Sequence, residues 1–164
     1  MAKNKEEKTN VMRVLEQKKI AYTAHTYPHE EGMAVDGVTV AKSMGFDPAI
    51  VFKTLVARGA SKQYYVFDVP VAENLDLKKA AKAVGEKSIE MIHQKELLPL
   101  TGYVHGGCSP VGMKKLFPTV FHETAENLET MIVSAGKIGY QVEVAPQALI
   151  ALVRAGTAEL TIES

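Results

Sequence analysis

The residues of this chain best suited to chemistry gather in one stretch, Thr101 to Lys115, which reads T-G-Y-V-H-G-G-C-S-P-V-G-M-K-K. Four glycines, a proline, a serine and the only cysteine fall between Gly102 and Gly112. Gly106-Gly107 can take backbone angles closed to other residues and lets another molecule approach the main chain. Pro110 stiffens the far end and removes one donor. Successive amides in such a turn form either an anion- or oxyanion-binding nest or a tight hairpin without a ligand. Cys108 sits beside those amides, which would lower its pKa and make it a candidate nucleophile. Five histidines are available as bases, but no spacing pairs one of them with the thiol.

Lys53 is the second candidate. It lies in V-F-K-T-L-V-A-R, where period-two alternation places it with Val51, Leu55 and Ala57, and Phe52, Thr54 and Val56 on the other face. A lysine among such neighbours loses hydration. It either snorkels to water at the strand end or is a cation kept for a phosphate or carboxylate. His25 and His29 would share a helix face as metal ligands, but Ile20 to Tyr27 is rich in Tyr, Thr and Ile and reads as a strand ended by Pro28. No metal site is expected there. Lys78, Lys79 and Lys82 lie opposite the apolar face of their helix, as a solvated face or a nucleic-acid contact. A P-loop, a G-x-G-x-x-G, a paired-cysteine metal motif and a nucleophile elbow are all missing from the sequence.

The elements that must position these residues are short. A charged arm (residues 1–9) precedes a helix with Val11, Val14 and Leu15 on its apolar face and the stem of Lys18 along the edge. Residues 30–37 read as a polar loop, Val38 to Met44 as a helix closed by Gly45, and Asp47-Pro48 as the start of another turn. Strands at Val51–Arg58 and Tyr64–Val69 form a hairpin across Gly59–Lys62. Asp76 caps a helix that buries Leu77, Ala80, Ala81 and Val84 and ends at Gly85. A short strand over Ser88–Ile92, a helical turn over His93–Leu98 stopped near Pro99, and a strand over Pro118–His122 follow. Glu129–Ser134 and Tyr140–Val144 pair, Pro146 opens a last helix (Ala148, Leu149, Leu152 and Val153 inward) stopped by Gly156, and Leu160 and Ile162 add an edge strand. Many short strands with helices between them predict an α+β fold, a single domain over residues 10–164, with a mixed, curved and mostly antiparallel β-sheet or barrel surrounded by helices.

Composition narrows the function. With 164 residues, 46% apolar and 23% charged, the chain can bury a proper core as one soluble domain. Nineteen basic residues balance nineteen acidic ones, so no global field draws the protein to nucleic acid or an anionic membrane. A nucleic-acid partner would need a local site or a second protein to deliver it. One cysteine excludes an internal disulfide, and the N-terminus does not read as a signal, so the cytoplasm is expected. No apolar run approaches the roughly 18 residues of a membrane span.

Four segments in order, F-K-T-L (Phe52 to Leu55), V-P-V-A-E-N-L-D-L-K-K (Val69 to Lys79), T-G-Y-V-H-G-G-C-S-P-V-G (Thr101 to Gly112) and V-S-A-G-K-I-G (Val133 to Gly139), resemble the YbaK/EbsC family. These are free-standing relatives of the editing domain inserted in bacterial prolyl-tRNA synthetases, and the likeness runs from about Val11 to the C-terminus. The resemblance implies a mixed β-barrel with surrounding helices and a trans-editing aminoacyl-tRNA deacylase acting on Cys-tRNA(Pro), without metal or other cofactor. It implies that the substrate's own thiolate attacks the ester. By the same resemblance, Lys53 meets a phosphate or ribose of the tRNA 3′ end, and the backbone of Gly106, Gly107, Ser109 and Pro110 orients the ester and stabilises its oxyanion. Tyr27, Thr54, Ser134 and Gly136 wall the substrate pocket. One position departs: where the YbaK branch has aspartate in G-x-D-[IV]-E, this chain has Gln141 in G-Y-Q-V-E, which leaves the edited amino acid open. A deacylase for another small amino acid, such as alanine on proline tRNA, using an activated water, is one alternative. A catalytically idle module that binds the tRNA end or a nucleotide-like ligand is another. A prolyl-tRNA synthetase partner is compatible with the balanced charge, and Cys108 is incidental to the motif.

Overall fold

Thr9 caps the first helix: its hydroxyl accepts from the Met12 N–H at 3.3 Å at the start of α1 (Asn10–Gln17). The computed structural model describes residues 8–30 and 33–162; most of the expected N-terminal arm, residues 1–7, lies outside them. Helix α1 buries Val11, Met12 and Leu15. Lys18, expected along the apolar edge, is instead the exposed C-cap, because the chain turns away at Lys19 with φ 59° and Met12 fills the inner position.

Two sheets carry the site. A three-stranded sheet pairs β1 (Tyr22–Thr26) and β6 (Met131–Ser134) antiparallel to a central β7 (Tyr140–Val144). A five-stranded sheet runs β4 (Ile89–Met91), β2 (Phe52–Gly59), β3 (Tyr64–Pro70), β5 (Thr119–His122), β8 (Gly156–Ala158). A bridge between Val51 and Ile132 joins them at the start of β2. The two sheets leave the barrel unclosed, so the curved-sheet form of the expected α+β fold is the one present. The β2–β3 hairpin is antiparallel as expected, but β3–β5 and β5–β8 are parallel. Residues 156–158 form the edge strand in place of Leu160 and Ile162. Leu160 is fully buried, Ile162 is exposed, and Thr161 touches Leu75 in a lone bridge.

Helices α2 (Gly37–Met44) and α3 (Leu77–Val84) end as their glycines predict, on Gly45 and Gly85 in the left-handed region. Leu77 is 40% exposed and does not join Ala80 and Ala81 inside. Lys79 is tied to Glu159 at 2.8 Å and to the Thr161 carbonyl at 2.7 Å, which takes it out of the expected lysine face. Helix α4 (Gln94–Thr101) runs through Pro99 rather than stopping there. The carbonyl that Pro99 leaves without a donor belongs to Lys95, at the exposed first turn, where water can take it. Helix α5 (Pro146–Val153) ends on Arg154 at φ 57°, two residues before Gly156.

The core is divided by β2. Phe52 and Val56 face a cluster with Val11, Leu15, Tyr103, Phe121 and Val142, while Ala57 faces Phe67, Val69 and Ala80 under α3. Each fully buried Leu or Phe in these clusters contributes about 1.5–3 kcal/mol. A third cluster, Ala41, Val51, Val71 and Ile132, lies beneath the N-terminal end of β2. It is the floor on which the polar residues described next are held.

Candidate active site

A cavity of about 440 Å³ opens where α2, the start of β2, the β6–β7 face and the 105–108 loop meet. Antiparallel register sets Ser134 of β6 opposite Gln141 of β7, and directly opposed residues share a sheet face. The Tyr27 N–H donates to the Gly139 carbonyl at 2.9 Å, so the end of β1 is pinned to the turn that joins β6 and β7. Tyr27, Lys53, Thr54, Gly106, Ser134 and Gln141 therefore reach one space. Gly107, Ser109, Pro110 and Gly136 do not line it.

Lys53 stands in register with Val69 of β3, partly buried. It forms no hydrogen bond or ion pair among the described residues. Burial lowers its pKa, and the carboxylates of Asp36 and Glu73 act in the opposite sense. A cation that has lost hydration and has no bonded partner is suited to an incoming anion. Its neighbour Thr54 turns to the other face and donates its hydroxyl to Asp68 Oδ1 at 2.6 Å. Gln141 is 7% exposed, and its Oε1 accepts no hydrogen bond among the described residues.

The glycine loop differs from expectation in one respect that matters. It is not open along its length: residues 107–111 are buried. The Gly107 N–H is spent on the Val104 carbonyl at 3.0 Å. A Cβ on Gly107 would meet Ile138 N at 3.0 Å and the Lys137 Cα and carbonyl carbon at 3.1 Å. The close approach that demands glycine at 107 is thus to the chain's own β6–β7 turn, not to a ligand. Ser109 Oγ accepts from the Val111 N–H at 3.3 Å, and the Tyr103 hydroxyl donates to the Val111 carbonyl at 2.6 Å, closing the loop from behind. Gly136 leaves room for the Tyr103 ring, which would lie 2.9 Å from a Cβ there. Among the described residues no acceptor meets the amides of Gly106 and Cys108. Both belong to residues that line the cavity, whereas Gly107 does not.

A sharp expectation follows for Gly107→Val. The branched side chain is driven into main chain that cannot swing aside, an overpacking worth about 1–3 kcal/mol. For a chain of this size that lowers Tm by about 2–12 °C, read by thermal unfolding. An unchanged Tm would show that the two loops are not in contact.

Cys108 also departs from expectation. Its thiol is 8% exposed, and burial, reinforced by the Asp68 charge, pushes its pKa up to about 12 rather than down. Such a thiol is inert. His25 and His29 do not come together as ligands: His25 Nε2 meets Glu143 Oε1 at 2.8 Å, and His29 Nδ1 meets the Tyr27 carbonyl at 3.2 Å. Among the described residues, no group of three His, Cys, Asp or Glu side chains could hold a metal ion, and no helix is long and apolar enough to cross a membrane.

Asp36 and His105 line the cavity and were not singled out in the sequence. Asp36 had a readable signal, since D-G-V-T-V-A has the form of an N-cap, and its Oδ2 does accept from the Thr39 N–H at 3.1 Å. His105 had only its place before Gly106-Gly107.

The family model described as the aminoacyl-tRNA editing domain matches residues 29–152, which include every cavity residue named above except Tyr27. The chain belongs to the aminoacyl-tRNA editing domain family. A protein of Enterococcus faecalis named "Putative Cys-tRNA(Pro)/Cys-tRNA(Cys) deacylase EbsC" is 46% identical over 162 residues, covering 98% of each chain. A solved structure described as "a putative trans-editing enzyme for prolyl tRNA synthetase" is 25% identical, with a TM-score of 0.79, covering 94% of this chain and 96% of that one. A second, "hypothetical protein APE2540", shares the fold at 18% identity with a TM-score of 0.82, covering 93% and 99%. Lys53, Gln141 Oε1 and the amides of Gly106 and Cys108, each without a hydrogen-bond partner among the described residues, belong to residues that line one cavity of this editing domain.

Proposed function

We propose that this editing domain is a trans-acting deacylase that removes cysteine mischarged on proline tRNA, with the substrate's own thiolate as nucleophile. The observation that carries the reading is chemical. The cavity offers a cation without a bonded partner and two free amides, while the only thiol of the protein is buried and held protonated up to about pH 12. That set binds and polarises an ester but brings no activated nucleophile of its own. The name of the E. faecalis relative supports the same substrate class.

In this mechanism Lys53 meets a phosphate or ribose oxygen of the terminal adenosine, and the Gly106 and Cys108 amides face the ester carbonyl. The substrate sulfur attacks the carbonyl carbon, the carbonyl–O3′ bond breaks, and the departing ribose oxygen takes a proton. The products are free tRNA and a cyclic thioester, which water later opens to cysteine. Holding sulfur and ester in one conformer supplies the effective concentration that free solution lacks. A prolyl-tRNA synthetase, which binds the body of the same tRNA, is the natural protein to hand it over.

Deacylation of labelled Cys-tRNA(Pro) tests the activity, and Cys108→Ala tests the origin of the sulfur. The variant should keep at least about half of wild-type kcat/KM, while losing some stability through the small void left in the core. Complete loss of turnover in a folded Cys108→Ala protein would make the protein thiol the nucleophile and overturn the proposed mechanism.

A further inference from the structure

Asp68 is the one fully buried carboxyl among the described residues, and the mechanism does not use it. It sits on β3 in register with Thr54 of β2 and Phe121 of β5, with no solvent exposure. Its Oδ1 takes the Thr54 hydroxyl proton at 2.6 Å, and its Oδ2 has no partner among the described residues. Leaving a buried carboxyl oxygen unbonded is costly, so something other than stability must be gained. A threonine hydroxyl has one proton and two lone pairs. With the proton committed to Asp68, the hydroxyl of Thr54, a residue that lines the cavity, has only lone pairs left to offer a ligand. Gln141 Oε1, in the same cavity, is likewise an unfilled acceptor.

We infer that Asp68 is a positioning residue: by holding the Thr54 hydroxyl proton, it makes Thr54 and Gln141 a pair of acceptors that select the α-ammonium of the aminoacyl group. An ammonium carries three donors and can fill both acceptors, whereas a ribose hydroxyl carries one. Burial pushes the Asp68 carboxyl up to about 8, with the Thr54 bond opposing it, so near neutral pH it keeps a proton on Oδ2 and leaves Oδ1 as the accepting oxygen. The inference rests on the deacylase reading above for the identity of the ligand, and it deepens that reading by assigning what reads the amine.

The test uses binding, not turnover. The probe is adenosine carrying cysteine through a stable amide in place of the ester, compared with the same compound lacking the α-amine and with one lacking the ribose hydroxyl beside the amide. Wild type should bind the amine compound about tenfold or more tightly than its amine-free counterpart. Asp68→Val should cut that preference to about two-fold with Tm equal to or above wild type, and should leave Kd for the amine-free compound unchanged. A merely structural role would weaken both alike. Asp68→Asn keeps an accepting Oδ1 and should restore most of the preference, which also covers the case in which the valine variant fails to fold. Thr54→Val should mimic Asp68→Val, and the double variant should lose nothing further. Undiminished amine preference in Asp68→Val, an additive loss in the double variant, or a preference that follows the ribose hydroxyl would each overturn the inference. Blank deacylation assays with intact, Asp68-dependent amine binding would sink the deacylase reading alone. Equal affinity of wild type for the amine and amine-free compounds would sink the inference alone, and binding of none of the probes would sink both.

Discussion

Lys53→Ala is expected to lower kcat/KM for deacylation by about 10- to 150-fold while the protein stays folded. The magnitude follows from one charge-assisted contact, roughly 1.5–3 kcal/mol, at 1.4 kcal/mol per decade of kcat/KM. The fold should tolerate the change because the ammonium bonds to nothing in the free protein and has already lost part of its hydration. Its removal leaves the Asp36 and Glu73 carboxylates unopposed near the cavity, a field that repels phosphate. The loss should therefore exceed that of a neutral contact. It should also weaken at high salt, where those surface carboxylates are screened. Lys53→Arg separates charge from shape: a guanidinium keeps the charge but is wider and planar, so partial rescue is expected. Wild-type rates from folded Lys53→Ala would remove this residue from the site and with it the anion-binding half of the mechanism.

Lys53 could be found in the sequence because its anomaly is local. A strand of alternating apolar residues that contains one lysine is visible without knowing what lies across the sheet, and the same logic exposes the β2–β3 hairpin and the glycine C-caps at Gly45 and Gly85. Gly107 and Gly136 failed as cavity residues for the opposite reason. Sequence shows that a glycine is required, but the atom that requires it is distant in the chain: the Lys137–Ile138 backbone in one case, the Tyr103 ring in the other. The lowered pKa expected for Cys108 fails through the same gap, since nearby amides are a local feature and the burial that outweighs them is tertiary. Asp68 also carries a signal in the sequence. Aspartate is depleted in strands, and in Y-Y-V-F-D-V-P alternation puts it on the face of Val66, which belongs to the core. The parallel pairing of β3 with β5 across a long connection has no local signature at all.

Cysteinyl-tRNA is expected to be cleaved at least about 100-fold faster than seryl- or alanyl-tRNA carried on the same proline tRNA. The three esters differ by one atom or fewer at the β-carbon, so the cavity, with its mixed polar and apolar lining, discriminates among them by binding only weakly, about 1–3 kcal/mol per small group at most. Chemistry supplies the rest. A thiol with a pKa near 8.5 is ionised to roughly a tenth at pH 7.5, a serine hydroxyl is essentially un-ionised, and alanine has no group to attack with. The cysteinyl rate should therefore climb with pH towards about 8.5, after subtraction of uncatalysed ester hydrolysis, and Cys108→Ala should leave that profile unmoved because the protein thiol stays protonated to about pH 12. Alanyl-tRNA cleaved as fast as cysteinyl-tRNA would require a water nucleophile and a base to activate it. His105 is the imidazole on the cavity wall that could serve as that base, and His105→Ala would then abolish the alanyl reaction. If cysteinyl turnover is fast, alanyl turnover slow and His105→Ala nearly silent, the sulfur that attacks the ester is the one that arrives with the tRNA.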